Sequence, residues 1–405
     1  MKIIKLAWRN IWRNKKRSFI TIGSIFFALL LSLVMAGLQK GSYDNMIKTS
    51  VEDFYGYIQV HKKGYTNQKD LSNSMEYTKV IQDYLISNTN VCEIHPRIES
   101  FVLSAFGDKT KGIPIVGVVP EKEFEKPGLK KRLVKGKFPT TNSGGLLISE
   151  RYSNYMGIEI GDSIAFLGQG YHGVSAVGQY KVCGIIKLPN ANIDAGFVYM
   201  ELSEFQDLFS LQGRVTSIIL CLNNKDDYNK TLQDLSINLP AEYEIFSWEQ
   251  EMPEIKQMIE SDANGAAVFR LILYIVIGFG IFGTALMMIA ERIKEFAIMI
   301  ALGMQKLKVI YIVTVEMMFI ALLGIASASI ASVPIMYYLY LNPIRFVGEA
   351  AQTFESMGFE PIMPVAWNAT YYVTQAIVVL LITAIAIIYP LWGVKKIQLI
   401  KALKN

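Results

Sequence analysis

The chain has 405 residues, of which 52% are hydrophobic and only 19% are charged, and its mean hydropathy is +0.29. A positive hydropathy with so few charges excludes a disordered chain and one that wraps nucleic acid. Three cysteines and three histidines exclude a disulfide-stapled scaffold and argue against a dense metal site.

Four long stretches are almost free of ionisable side chains, and each exceeds the roughly 20 residues that cross a ~30 Å hydrocarbon core. They predict four transmembrane helices, at 18–40, 266–290, 309–341 and 369–391. The alternative is a soluble protein with four buried core helices. Four runs of this length favour the membrane interpretation.

Lysine and arginine are distributed unevenly around these spans. Residues 1–17 carry seven of them, and the 291–308 loop and the 392–405 tail carry four each, whereas the 342–368 loop carries only Arg345. Positive charge marks the cytoplasmic side, so we expect both termini and the 291–308 loop to be cytoplasmic. The 41–265 domain and the 342–368 loop are then outside.

Net charge separates in the same way. Segment 41–265 holds 22 basic against 29 acidic residues, a net charge of −7, and the remainder is net +12. The overall charge of +5 therefore reflects an acidic outer domain on a basic membrane anchor. The basic ends of the membrane anchor are expected to face anionic lipid. The overall positive charge therefore does not indicate nucleic-acid binding.

Residues 1–17 predict a cytoplasmic amphipathic basic helix before the first span. Ile4, Trp8, Ile11 and Trp12 share one face, which is typical of an interfacial helix. A cleaved signal peptide is the alternative. We favour an uncleaved anchor because 17 residues are long for the basic region of a signal peptide.

The outer domain, 41–265, alternates short strand and helix patterns and is predicted to be mixed α+β. The predicted strands are 56–61, 98–105, 113–119, 146–149, 163–167, 180–187, 197–200, 217–222 and 242–247. The predicted helices are 75–87, 150–156, 202–209, 226–237 and 253–262. Residues 41–53 are expected to continue the first membrane helix, and 253–262 to lead into the second.

A glycine-rich stretch, 168–178, joins two of the predicted strands. It is either a flexible hairpin loop or a protruding hairpin that contacts a partner, since loops on rigid sheets often carry recognition. The residues of the second interpretation are Gly168, Gly170, Tyr171, His172 and Gly173.

Several patterns resemble catalytic or cofactor motifs without their context. Residues 278–283 fit G-x-G-x-x-G, but the fingerprint requires a preceding strand and here lies inside an apolar span. The sequence contains no P-loop, so any ATP is expected to be bound by a separate subunit. We predict no catalytic residues, no cofactor and no metal site. Whether Cys183 and Cys221 form a disulfide is left open.

Glu316 is an ionisable residue inside the third predicted span, about 12 Å along the helix from Lys308. A carboxylate at this depth is expected to face the bundle interior or a partner, and to be functional. The alternative is a glutamate that reaches the cytoplasmic interface. Gly324, further along, permits close approach of another helix.

The segment 291–303 predicts a short cytoplasmic helix between two spans that ends at a glycine suited to a helix C-cap. It is the expected docking element for a cytosolic motor, although an incidental amphipathic connector has the same pattern. The residues assigned to this docking are Glu291, Arg292, Glu295, Ala301, Leu302 and Gly303.

Taken in order, these features resemble the ABC-transporter permeases of the MacB/LolC–LolE/FtsX superfamily. One helix, a large outer domain and three further helices match its topology. Local similarities lie at 9–17, 96–97, 116–120, 147–149, 156–162, 291–303, 316, 324, 389–390 and 402–404. The chain departs from the family pattern at Ala297, Ile300 and 398–399.

The resemblance implies an α-helical membrane protein with four spans, a two-lobed outer domain of the MacB type and an FtsX-like permease domain at 266–401. It implies a permease without enzymatic activity that transmits ATP-driven motion. Its partners would be a cytosolic ABC ATPase dimer, a second permease copy or paralogue, membrane lipids, a membrane lipoprotein cargo and a periplasmic carrier. A short N-terminus and a two-lobed domain favour the lipoprotein-releasing LolC/LolE branch. MacB-like export and FtsX-like regulation of a cell-wall hydrolase are the alternatives, and the cargo and the pairing of permeases are left open.

Overall fold

The computed structural model describes residues 2–66, 68–141, 144–188, 191–356 and 359–395. The last ten residues of the predicted 392–405 tail, with Lys396, Lys401 and Lys404, lie outside the described residues. The chain forms two compact units. The helical unit contains Met1–Tyr43, Met258–Ile344 and Met363–Asn405, and the sheet unit contains Asp44–Gln257 and Arg345–Ile362.

Sixteen α-helices occur in the described part of the chain. In chain order they are α1 Lys2–Arg13, α2 Lys15–Ile47, α3 Lys79–Ile86, α4 Pro120–Glu123, α5 Pro127–Lys130, α6 Glu150–Met156, α7 Ala191–Asp194, α8 Leu202–Phe209, α9 Tyr228–Ile237, α10 Trp248–Glu251, α11 Pro253–Glu291, α12 Ile293–Ala301, α13 Lys306–Leu341, α14 Glu349–Ser356, α15 Ala369–Ala386 and α16 Ile388–Lys395.

Fourteen strands accompany them in the same residues. They are β1 Ile58–Lys62, β2 Met75–Glu76, β3 Val91–Phe106, β4 Lys109–Val118, β5 Leu133–Gly136, β6 Gly145–Ser149, β7 Ser163–Gln169, β8 Ser175–Ile186, β9 Val198–Glu201, β10 Arg214–Val215, β11 Ser217–Leu222, β12 Tyr243–Ser247, β13 Ile344–Arg345 and β14 Ile362–Met363.

Within the described residues, four helical segments are long and apolar enough to cross a membrane, which confirms the predicted number and order of spans. They are Lys15–Glu52, Pro253–Glu291, Lys306–Leu341 and Ala369–Lys395. The first combines α2 with a π-helical segment, Lys48–Tyr55, and the second begins at Pro253. Both therefore extend beyond the predicted apolar runs, because polar residues continue the helix once the hydrocarbon core has been crossed.

In the sheet unit, the 16-residue strand β3 belongs to two substructures. Its first half pairs with β11, and β11, β1 and β12 continue outward as an antiparallel sheet. Its second half begins a closed circuit of six strands, β3–β4–β9–β6–β8–β7, in which β7 returns to β3. One long strand thus belongs to both of the lobes that the family resemblance implied.

The predicted helix at 75–87 is wrong at its N-terminal end. Met75–Glu76 pair with Arg214–Val215 as a two-stranded ribbon, and the helix begins only at Lys79. The residue before it, Thr78, has an extended backbone. Pairing between residues more than a hundred positions apart overrides the local helical pattern. The sequence also did not predict the first half of β3 or the strand β5, which likewise pair with strands distant in the chain.

The three cysteines are free thiols. Cys183 lies in β8 and donates a hydrogen bond to the Leu146 carbonyl at 3.2 Å, whereas Cys221 lies in β11 at 3.2 Å from His95 Nε2. In the sheet order, β3, β4, β9 and β6 separate β11 from β8. The disulfide that the sequence left open is therefore absent.

Candidate functional site

Glu316 is fully buried in α13 and lies between two arginines. Arg292 Nη1 donates a hydrogen bond to Glu316 Oε2 at 2.8 Å, and Arg17 Nη2 lies 3.5 Å from Oε1. The side chains of Arg17 and Arg292 are only 7% and 9% exposed. The carboxylate therefore faces the interior of the helical unit and joins α13 to the start of α2 and to the α11–α12 junction.

Two further carboxylates surround this pair of arginines. Glu291 Oε2 accepts hydrogen bonds from Arg17 Nη1 and Asn14 Nδ2, each at 3.1 Å. Glu295 accepts from Arg13 Nη2 at 2.6 and 2.7 Å and from Arg292 Nε at 3.0 Å. With Glu316 this makes three arginines and three glutamates, which we call the charged cluster.

The charged cluster is neutral, and each of its charges has an opposite charge within 3.5 Å. The hydrogen bonds from Arg13, assisted by those from Arg292, hold the pKa of Glu295 below its usual value despite its partial burial. Buried charges are tolerated only when they are paired and hydrogen-bonded. The cluster therefore fixes α1, α2, α12 and α13 in one arrangement.

The arginines of α1 and α2 are the residues that sequence reasoning missed. Arg13 and Arg17 are spaced by four, as are Glu291 and Glu295, and they pair in reverse order. Two complementary i,i+4 pairs at the edges of adjacent spans were a usable signal. Taken separately, the arginines predict only a basic, lipid-facing stretch, and the glutamates predict only a docking helix.

Close helix contacts continue above the charged cluster. A Cβ on Gly324 would lie 2.7 Å from Ile25 Cγ2 of α2 and would clash. The hydroxyls of Thr21 and Thr284 are 2.7 Å apart, and a Cβ on Gly280 would lie 3.7 Å from Ser24. Among the glycines at 278–283 of α11, a Cβ on Gly278 or Gly280 would make only ordinary contacts and one on Gly283 would meet no atom within 4 Å, so close packing depends on Gly324 and not on these glycines.

The segment 291–303 forms α12 with the predicted left-handed glycine after it, since Gly303 has φ +95°. Phe296 and Ala297 are buried. Ala301, Leu302 and Gly303 are exposed, and Leu302 is 84% exposed. The exposed end of α12 is therefore free to contact another protein, whereas Glu291, Arg292 and Glu295 are engaged within the chain.

The hairpin at 168–178 is shorter than predicted, because Gln169 pairs with Ser175 and only 170–174 connect the strands. A Cβ on Gly170 would lie 2.7 Å from the Phe209 carbonyl oxygen, and the Arg214 guanidinium lies 5.1 Å from the Tyr171 ring centre. His172 and Gly173 are exposed, with φ +54° and +82°. The base of the turn is held against the unit, and its role as a partner contact stays a prediction.

No cluster of three or more metal-ligating side chains occurs in the described residues. His61 lies 3.3 Å from Glu251, and His95 lies 3.3 Å from Glu93, so each imidazole has a carboxylate beside it. The charged cluster offers mechanical linkage between helices, and the exposed end of α12 offers a surface for binding.

Comparison with known proteins adds independent evidence. Residues 267–399 match the family of the FtsX-like permease C-terminal domain. The chain is 22% identical to the lipoprotein-releasing system transmembrane protein LolC of Xylella fastidiosa strain Temecula1, over 97% of this chain and 95% of that protein. It is 24% identical over 237 residues to an uncharacterised ABC transporter permease protein of Mycobacterium tuberculosis, covering 56% of this chain and 26% of that protein.

Among solved structures, the periplasmic region of MacB from Actinobacillus actinomycetemcomitans is similar, with 15% identity, coverage of 51% of this chain and 93% of that chain, and a TM-score of 0.35. Residues 267–399 are thus similar to the FtsX-like permease domain, and the resemblance of the whole chain to the permeases of the MacB/LolC–LolE/FtsX superfamily is confirmed.

Proposed function

We propose that the chain is the permease subunit of an ABC transporter, in the inner membrane with both termini cytoplasmic, and that it transmits ATP-driven motion to its outer domain. A separate ATPase dimer would bind at the exposed end of α12, around Leu302. The observation that carries this proposal is the charged cluster. It joins α12 to the end of α1 through the half-exposed Arg13–Glu295 pair, and to α13 and the start of α2 through the buried pairs of Glu316 with Arg292 and Arg17. A displacement of α12 therefore moves these helices with it.

The cargo proposed for this transporter is a membrane-anchored lipoprotein. The similarity to LolC over nearly the full chain supports this choice, together with the two-lobed sheet unit. A second permease, either another copy or a paralogue, would complete the transporter, and a carrier would receive the cargo, with the exposed His172–Gly173 turn as its contact. The permease itself would bind no ATP.

The ATPase contact is tested by replacing Leu302 with Arg in the full chain reconstituted in liposomes with its ATPase. Leu302 is 84% exposed and makes no contact on which folding depends. We expect Leu302→Arg to abolish the stimulation of ATP hydrolysis without lowering the melting temperature. Val80→Arg, at a 75% exposed position of α3, is the matched control and should keep the stimulation. Unchanged stimulation in Leu302→Arg would contradict docking at α12.

The cargo is tested in the same liposomes by measuring ATP-dependent release of a tri-acylated lipoprotein into solution. The expected result is release that requires ATP and is lost in Leu302→Arg. If the lipoprotein is not released although ATP hydrolysis is still stimulated, the lipoprotein cargo is refuted and the permease assignment stays intact.

A further inference from the structure

A cavity in the sheet unit has a charge opposite to that of the outer domain as a whole. Its volume is about 520 Å³, and the segment 345–362 between the third and fourth spans supplies one of its walls. Five basic and three acidic side chains line it, whereas the 41–265 domain is net −7. The basic residues are Lys131, Arg132, Arg151, Lys187 and Arg345.

The three acidic side chains of the cavity are already engaged. Glu360 accepts from Arg132 at 2.7 Å, and Glu355 accepts from Arg151 at 2.6 Å. Asp194 accepts a hydrogen bond from the Leu188 amide at 2.9 Å. Two of the five basic groups are thereby neutralised, and these bonds also hold the 345–362 segment against the strands and helices of the unit.

Three cations remain for a ligand. Lys131, Lys187 and Arg345 are exposed and form no ion pair with any described residue. Phe346, Phe359 and other apolar side chains line the same cavity. A site that combines cationic groups with apolar walls fits an anion that carries a hydrocarbon part, and it does not favour a small hydrated anion.

The ends of the neighbouring spans indicate where such an anion would come from. Tyr337, Tyr338 and Tyr340, at the end of α13, are 60–66% exposed, and Trp367, just before α15, is 50% exposed. Aromatic rings of this kind are enriched at the membrane–water interface. Arg345 follows the last residue of α13 by only four positions, and four residues of chain reach at most about 14 Å, so Arg345 is tethered close to the end of that span.

We propose that this cavity binds the phosphate headgroup of an anionic phospholipid, with Lys131, Lys187 and Arg345 as the cationic contacts and the phenylalanines against the glycerol and upper acyl region. A headgroup bound there would join the 345–362 segment to the lipid from which the cargo is taken. The ligand is independent of the nature of the cargo and of the docking at α12.

The test is a titration of the full chain, purified in an uncharged detergent, with dihexanoyl phosphatidylglycerol, followed by calorimetry. The cavity variant is Lys131→Gln/Lys187→Gln/Arg345→Gln. The matched control is Lys63→Gln/Lys79→Gln/Lys230→Gln. It also removes three positive charges, but from exposed positions of the same unit that do not line the cavity. Basic residues at the chain ends contribute equally to all three proteins.

We expect the cavity variant to bind phosphatidylglycerol at least about tenfold more weakly than the wild type, because each Lys or Arg contributes measurably to the binding of an anionic headgroup. The control variant should bind like the wild type, and dihexanoyl phosphatidylcholine should bind weakly to all three. Equal affinity of the two triple variants, or equal binding of the two lipids, would overturn the proposal. Inorganic phosphate that binds as tightly as the lipid would identify a simple anion site and would also overturn it.

Discussion

Replacement of Glu316 probes the charged cluster most directly. In Glu316→Leu, the guanidinium of Arg292 loses its 2.8 Å partner and Arg17 loses its 3.5 Å partner, while both stay buried. Removing one member of a buried ion pair costs about 3–5 kcal/mol, since the other charge is left unpaired. Arg17 still pairs with Glu291, and Arg292 still pairs with Glu295. We therefore expect the free energy of unfolding to fall by an amount near the lower limit, about 3 kcal/mol.

The structure also predicts the effect of the conservative substitution Glu316→Gln relative to that of Glu316→Leu. Both Glu316 oxygens face arginine donors, so glutamine would satisfy one arginine and place its NH2 group against the other. The geometry therefore predicts that Glu316→Gln is intermediate between the wild type and Glu316→Leu in both stability and coupling.

The assay has two readouts on the full chain. Thermal unfolding in detergent, followed by tryptophan fluorescence, measures stability, and stimulated ATP hydrolysis in liposomes measures coupling. Glu159→Leu, at an exposed glutamate in the sheet unit, is the control for the change of residue type. If Glu316→Leu has the same melting temperature as the wild type and stimulates ATP hydrolysis to the same extent, the charged cluster neither stabilises the helices nor transmits motion.

Three further predictions follow from particular contacts. Gly324→Ala should destabilise the chain by roughly 1–3 kcal/mol, because its Cβ would meet Ile25 at 2.7 Å, whereas Gly283→Ala, with no atom within 4 Å, should not; equal melting temperatures would contradict the close α2–α13 packing. Burial opposes the ionisation of Glu123, but the charges of Arg97 and Lys126 outweigh it and hold its pKa well below its ordinary value near 4.5. The stability from this carboxylate is therefore complete above the unfolded-state pKa and should be lost as the pH falls below about 4.5; melting curves of the full chain between pH 7 and 3 should show this decline, and Glu123→Gln should flatten it. Arg13→Gln should lower the melting temperature only slightly, since the Arg13–Glu295 pair is half exposed, and a loss as large as that of Glu316→Leu would show that exposure does not rank these pairs.

Charge reversal at Glu291 and Glu295 would not test ATPase docking alone. Their carboxylates pair with Arg17 and Arg13 of the same chain, so lysines there would repel these arginines and disturb α1 and α2. Leu302, which is exposed and unpaired, separates docking from internal stability.

The sequence by itself determined the four spans, since the absence of charge over more than 20 residues is a local property that only a membrane accommodates. It also determined most strands of the sheet unit and the buried environment of Glu316, because a carboxylate at that depth requires a polar partner. Only the tertiary structure decided which partner it has. The pairing of Glu316 with Arg17 and Arg292, the ribbon of Met75–Glu76 with Arg214–Val215, and the cavity lined by Arg345 and Lys187 all join residues distant in the chain. Such contacts are set by the packing of whole elements, and no local pattern of residues specifies them.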